Sequence, residues 1–216
     1  MTELHLPPRG ALSPNNAVDP NKYYYMPLVG RMFRARINLG LRLLPRRPGR
    51  LLEIGYGSGL LLPTLTALAD RVDGVDLVSR PTEVRAALAR LGVSVGELIQ
   101  SDVCAMPFAD GRYDVVVAFS IFEHLKALEL ERALAETRRV LRPGGMLLVG
   151  CPAVHKGMNL AFAAIGFHGI DEHHFSSIHD VLSACLGRFT VERQATWPRG
   201  MPLGLAPYGA VLLRKQ

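Results

Sequence analysis

The sequence predicts a doubly wound α/β domain: a sheet of seven strands, the last pair antiparallel, with an N-terminal helical cap. Three observations predict it. Short apolar runs alternate with helical patterns from residue 50 onward, the runs are apolar on both faces, and no internal repeat interrupts them. At 216 residues, 49% hydrophobic and 20% charged, the chain can bury one core, which excludes wholesale disorder and leaves little room for a second domain.

The elements follow in order. Residues 1–21 are rich in Pro and Asn without apolar periodicity, which predicts a mobile or loosely draped arm. From Pro27 to Leu44 the pattern turns helical. Arg31, Arg34, Asn38 and Arg42 share one face, and Leu28, Val29, Met32, Phe33, Leu39, Leu43 and Leu44 take the other. Arg36 falls in the middle of the apolar side. Pro45-Arg46-Arg47-Pro48-Gly49 stops this helix, dividing the chain into an arm and cap (1–49) and a main domain (50–216). Strands are then expected at Arg50–Gly55, Val72–Leu77, Ser94–Gln100, Tyr113–Phe119 and Gly145–Cys151. Helices are expected at Gly59–Ala69, Pro81–Leu91 and Leu128–Leu141. A helix near Ser177–Leu186 and edge strands near Arg188–Ala195 and Tyr208–Arg214 complete the pattern.

Charge is uneven along the chain. Residues 9–50 hold nine Lys or Arg against one acid, Asp19, although the whole chain is only +6. Such a segment can meet an anionic surface or be a solvated face. Cys104, Cys151 and Cys185 are widely spaced and odd in number, which implies neither a disulfide framework nor a Cys-based zinc site and makes a reducing, cytoplasmic compartment the expectation. No apolar run reaches membrane-span length, and the start lacks a secretion-signal layout.

The chemistry concentrates in Leu51-Leu52-Glu53-Ile54-Gly55-Tyr56-Gly57-Ser58-Gly59, a strand running into a glycine-rich turn and a helix. Glycines permit the tight turn and close approach of a ligand to the backbone. Dinucleotide enzymes use a similar loop, but here the third dinucleotide glycine is replaced by Leu60, and an acid, Glu53, precedes the turn. Asp76 ends the second strand, where a carboxylate can accept from both ribose hydroxyls, and Asp102 ends the third, where it can accept from an adenine amino group.

With Pro107-Phe108, Tyr113-Asp114, Phe122-Glu123-His124-Leu125 and Leu141-Arg142-Pro143-Gly144-Gly145 following in order, residues 50–151 resemble the class I S-adenosylmethionine-dependent methyltransferases of the type 11, small-molecule group, with their Rossmann-like fold. The resemblance implies S-adenosyl-L-methionine as cofactor. Glu53, Gly55, Gly57 and Gly59 would wrap its methionine and ribose portion, and Asp76 would hold the ribose. Leu77 and Val103 would sandwich the adenine, Asp102 would contact its amino group, and Phe119 and Ser120 would face the sulfonium.

Methyl transfer from a sulfonium needs mainly alignment, and a base only when the acceptor arrives protonated. His124 is the first candidate base and His155 the second; a role for Glu123 or His124 in capping the next helix stays open. The His-rich stretch 167–179 lacks helical zinc spacing and reads as a substrate-facing loop with Ser176 or Ser177 capping the following helix, so no metal is expected. Cys151 reads as a buried strand-end residue, with a nucleophilic role as the alternative.

Ser120-Ile121-Phe122-Glu123 departs from the signature of enzymes that methylate base or amide nitrogens, and no RNA-binding module is attached, so nucleic acid ranks low as a substrate. A small-molecule acceptor is expected, lipid- or glycan-linked acceptors included. For the cap, three roles stay open: a lid in which Tyr23, Tyr24 or Tyr25 closes on the cofactor and Arg36 meets an anionic group, plain packing on the sheet, or peripheral membrane contact through residues 23–44. A nicotinamide-dependent oxidoreductase and a non-catalytic cofactor-binding or membrane-associated partner on the same fold are the competing functions.

Overall fold

The computed structural model describes residues 3–15, 19–152, 175–203 and 205–216. Their elements run α1 (Asn21–Tyr24), α2 (Pro27–Leu41), β1 (Arg50–Ile54), α3 (Leu62–Leu68), β2 (Arg71–Asp76), α4 (Pro81–Arg90), β3 (Leu98–Gln100), β4 (Tyr113–Phe119), α5 (Ala127–Val140), β5 (Leu141–Pro152), α6 (Ile178–Cys185), β6 (Phe189–Trp197) and β7 (Tyr208–Lys215). They build one seven-stranded sheet in the order β3-β2-β1-β4-β5-β7-β6. β1 to β5 pair in parallel, and β7 inserts antiparallel between β5 and β6. The expected antiparallel pair is present, but β6 is antiparallel to β7 in turn and so runs with the parallel strands.

Alternation along each strand sends side chains to two packed layers. Leu51, Val115, Val117, Leu148 and Leu212 join the layer built with α2, α3 and α4, and Leu52, Ile54, Val116, Leu147 and Val149 join the one built with α5 and α6. Leu51, Leu52, Leu62, Leu65, Leu147 and Leu148 are fully buried, each contributing about 1.5–3 kcal/mol.

Three boundaries differ from expectation for visible reasons. β3 keeps only Leu98–Gln100, because the preceding residues wrap the buried Asp73. Its carboxylate accepts from the Glu97 N–H (2.7 Å), the Arg112 guanidinium (2.8 Å) and the Tyr113 hydroxyl (3.0 Å). β5 starts at Leu141, straight out of α5, with Arg142–Gly145 absorbed by a register shift against Tyr113–Val115. α2 stops at Leu41, and its inner face is Phe33, Ile37, Leu39 and Leu41, while Leu28, expected among the apolar side, is 80% exposed. Gly40 lets α2 approach the sheet, since a Cβ there would stand 2.4 Å from the Phe119 ring.

The N-terminal arm corrects the expectation of a loose segment. Leu4 N–H donates to Asn38 Oδ1 (2.6 Å), His5 N–H to Thr64 Oγ1 (3.0 Å) and the Asn15 amide to Ser79 Oγ (2.7 Å), while Leu12 is buried in the core. Backbone and amide hydrogen bonds, invisible to hydropathy patterning, strap it across α2, α3 and the loop after β2.

Candidate functional site

The site is assembled at the carboxyl ends of β1 and β4, where an open parallel sheet leaves a crevice. β1 leaves the sheet at Gly55, whose N–H donates to Val75 O at 2.7 Å with φ +78°. A Cβ at this position would lie 2.0 Å from Ile121 Cδ1, so glycine is what allows the chain to pass under the loop that follows β4. Two residues on, Gly57 N–H donates to Asp76 Oδ2 (2.9 Å), and Asp76 Oδ1 accepts from the N–H groups of Val78 (2.9 Å) and Ser79 (2.8 Å). The Ser79 hydroxyl donates to Gly57 O (2.8 Å). The turns after β1 and β2 are thus one hydrogen-bonded unit with Asp76 at its centre.

A cavity of about 270 Å³ opens above this unit, close to the lower end of the range for ligand pockets. Glu53, Gly55, Tyr56, Gly57, Asp76 and Val78 line it from the β1–β2 side, and Phe119, Ser120, Ile121 and His124 line it from the loop after β4. Asn15, Asp19, Asn21, Tyr24, Arg36 and Ile37 close it from the arm and the two N-terminal helices.

Glu53 is 5% exposed and its Oε2 is buried without a hydrogen-bond partner. Burial, with the nearby Asp76 carboxylate adding to it, pushes its carboxyl well above the usual range. Arg36, the charge on the apolar side of α2, stacks its guanidinium 3.9 Å from the Phe33 ring centroid and 5.6 Å from that of Tyr208, and its Nε is buried without a partner. Ser120 holds φ +55°, a sparsely populated backbone state for a residue other than glycine, with its N–H donating to Gly150 O at 2.7 Å.

His124 ends a 3₁₀ turn, Phe122–His124, and lines the cavity. Neither it nor Glu123 caps α5; Glu129 does, accepting from the Lys126 N–H at 2.9 Å. Glu123 is instead fully buried, takes the Cys151 thiol on Oε2 at 3.3 Å, and its carbonyl accepts from the N–H groups of Phe175 (2.7 Å) and Ser176 (3.1 Å). Burial raises the Cys151 thiol well above its ordinary value, which suits a core residue and not a nucleophile. Ser177, of the two expected caps, caps α6, exchanging hydrogen bonds with Asp180.

Of the residues singled out in the sequence, Glu53, Gly55, Gly57, Asp76, Phe119, Ser120 and His124 meet at this cavity. Gly59, Leu77, Asp102 and Val103 are not in its lining. Gly59 serves helix packing, where a Cβ would stand 2.8 Å from Val84 Cγ1. Leu77 is 64% exposed, and Asp102 caps a 3₁₀ turn, Val103–Ala105, by accepting from the Cys104 N–H at 2.8 Å. His155 and the histidines at 168, 173 and 174 lie outside the described residues. Asn15, Asn21 and Tyr56 were not legible as lining residues. The only signal for the first two was the density of Asn and Asp in the arm; Tyr56, at an arbitrary position between two glycines, carried none.

Comparison with known proteins bears on the family and the fold. The family described as "Methyltransferase domain" matches residues 52–149. The chain is 37% identical over 113 residues to a probable S-adenosylmethionine-dependent methyltransferase of Mycolicibacterium smegmatis, covering 51% of this chain and 41% of that protein. It is 35% identical over 105 residues to phosphatidylethanolamine N-methyltransferase of Cereibacter sphaeroides, covering 48% of this chain and 50% of that one. The chain therefore spans half or less of the length of these relatives. In fold it is similar to the N-methyltransferase NodS of Bradyrhizobium japonicum in complex with S-adenosyl-L-homocysteine, with a TM-score of 0.66 at 17% identity over 93% of this chain and 94% of that one.

Proposed function

The chain belongs to the class I S-adenosylmethionine-dependent methyltransferases through its residues 52–149, and from that premise we propose that it methylates a small-molecule acceptor held beside His124. The observation that carries this reading is the convergence of Glu53, the Gly55–Gly57 turn, Asp76 and His124 on one cavity at the strand carboxyl ends.

The residues present fit the cofactor. Glu53 Oε2 is a buried acceptor with no donor from the protein, suited to an ammonium group. At Gly57 the nearest atom to a Cβ would be Asn15 Nδ2 at 3.9 Å, so a ligand can approach that backbone closely. Glu53 would hold the amino group, Asp76 the ribose, and Phe119 and Ser120 the sulfonium side; Leu77, Asp102 and Val103 are the residues proposed for the adenine, and Gly59 shapes the turn. When bound, the cofactor supplies a methyl group already activated on a sulfonium.

The protein's share is then alignment and proton handling. His124 takes the acceptor's proton on an imidazole nitrogen where the acceptor arrives protonated. The arm with α1 and α2 acts as a lid, Tyr24 excluding water from the cavity and Arg36 offering a fixed cation to an anionic group bound there. Lipid- and glycan-linked molecules fall within the proposed acceptor class.

Calorimetric titration with S-adenosylmethionine, S-adenosylhomocysteine and NAD tests the cofactor: micromolar binding of the two sulfur nucleosides and none of NAD is expected, and binding of NAD alone overturns the reading. With a pool of small-molecule acceptors, His124→Ala is expected to lose at least about 100-fold in turnover while binding S-adenosylhomocysteine as the wild type does. Normal turnover of that variant would remove His124 from the mechanism, and nucleoside binding without any turnover would favour a non-catalytic binding protein.

A further inference from the structure

A groove of about 630 Å³ lies between the C-terminal end of α2 and the end of β6 with the loop that follows it. Arg42, Arg193 and Arg199 line it, and among the described residues no acidic side chain does. Arg42 reaches Glu3 at 3.2 Å in an exposed pair, an arrangement of small stability that a competing anion can displace. The side chains of Arg193 and Arg199 make no hydrogen bond or ion pair among the described residues, and the carboxylate next to Arg193, Glu192, is paired with Arg214.

Arg193 enters the groove because of a β-bulge. Val191 pairs with Leu213 and Arg193 with the adjacent Leu212, leaving Glu192 as the extra residue. A bulge exchanges which side chains face which layer. Before it, Phe189 packs in the α5–α6 layer; beyond it, Ala195 and Trp197 pack in the α2 layer, and Arg193 shares their side of the strand at period two. Of the apolar side chains that follow β6, Met201 lines the groove and is 37% exposed, and Leu205, outside the lining, is 66% exposed.

We propose that this groove docks the protein on an anionic phospholipid bilayer, its arginines meeting lipid phosphates while Met201 and Leu205 enter the acyl boundary. Charge complementarity selects an anion, and the exposed apolar pair selects the lipid source: free phosphate would occupy the arginines and leave Met201 and Leu205 in water. Leu28 apart, the apolar face of α2 is spent on the core, so the contact uses the groove beside the helix. Arg36 in the cavity and Arg42 in the groove are six residues apart, about 9 Å of helical rise, so docking would hold the cavity near the membrane surface. This inference does not depend on methyl transfer.

The test is sedimentation of the full chain with vesicles of phosphatidylcholine alone or mixed with phosphatidylglycerol, with the emission of Trp197, the one tryptophan, as a second readout beside the groove. Binding is expected only to the anionic vesicles. Arg193→Gln/Arg199→Gln should weaken it about 30-fold, Leu205→Asp should weaken it as well, and all three side chains are exposed enough to leave the fold intact. Arg85→Gln/Arg90→Gln, on α4 near the opposite sheet edge, should change it less than threefold. Equal loss in that control would show diffuse charge attraction and overturn the proposal. Release by millimolar inorganic phosphate, or no binding to anionic vesicles, would overturn it too.

Discussion

Replacing Asp76 by Asn should unfasten the loop that shapes the cavity. The carboxylate takes three backbone N–H groups, from Gly57 on Oδ2 and from Val78 and Ser79 on Oδ1. Asparagine can keep its carbonyl on the Val78 and Ser79 pair, but it then turns an NH₂ toward the Gly57 N–H, two donors facing each other. A hydrogen bond to a charged group contributes about 1.5–3 kcal/mol, so the loss is about 2 kcal/mol. For a chain of this size each kcal/mol moves the melting temperature by about 2–4 °C, so Asp76→Asn should melt about 4–8 °C lower in calorimetry without ligand. It should also bind S-adenosylhomocysteine at least about tenfold more weakly, measured well below its melting point. Asp70→Asn is the matched control, because among the described residues the Asp70 carboxylate pairs with Arg47 alone, in an exposed bridge, and its change should cost under about 0.5 kcal/mol. If Asp76→Asn melted within about 1 °C of the wild type, the Gly57 bond would not hold the turn and the argument would fail.

Glu53 makes a pH prediction. Its folded-state carboxyl is raised above the ordinary 4.5, so between that value and the raised one the native state binds the extra proton and stability falls as pH rises. Glu53→Gln removes that share, and its urea midpoint should fall less than that of the wild type between pH 4.5 and 8; parallel profiles would contradict the burial argument. Ser177→Ala removes the cap of α6, where the hydroxyl accepts from Asp180 N–H at 3.3 Å, and should lower stability by about 1 kcal/mol, read as a melting temperature about 2–4 °C lower.

The fold was legible because its signals are local. Alternating runs such as Leu51–Ile54 and Tyr113–Phe119 with helical stripes between them leave few ways to bury both sheet faces, and a glycine turn between a strand and a helix marks the end of the sheet where the cavity opens. What was misjudged was non-local. The arm carries no apolar period, yet its N–H and amide groups found partners on Asn38, Thr64 and Ser79, far away along the chain.

By itself the sequence determined the fold class and the glycine turn with Glu53 and Asp76, and it carried the family resemblance, since each is built from short motifs and runs that read locally along the chain. The tertiary structure decided that Arg36 turns into the cavity over Phe33, that Asn15 and Asn21 join its wall, that Cys151 is sequestered against Glu123, and that Arg193, beyond a bulge, lines one groove with Arg42 and Arg199. The physical reason is that these depend on where packing and hydrogen bonding bring distant segments together, and no periodicity within either segment encodes the meeting.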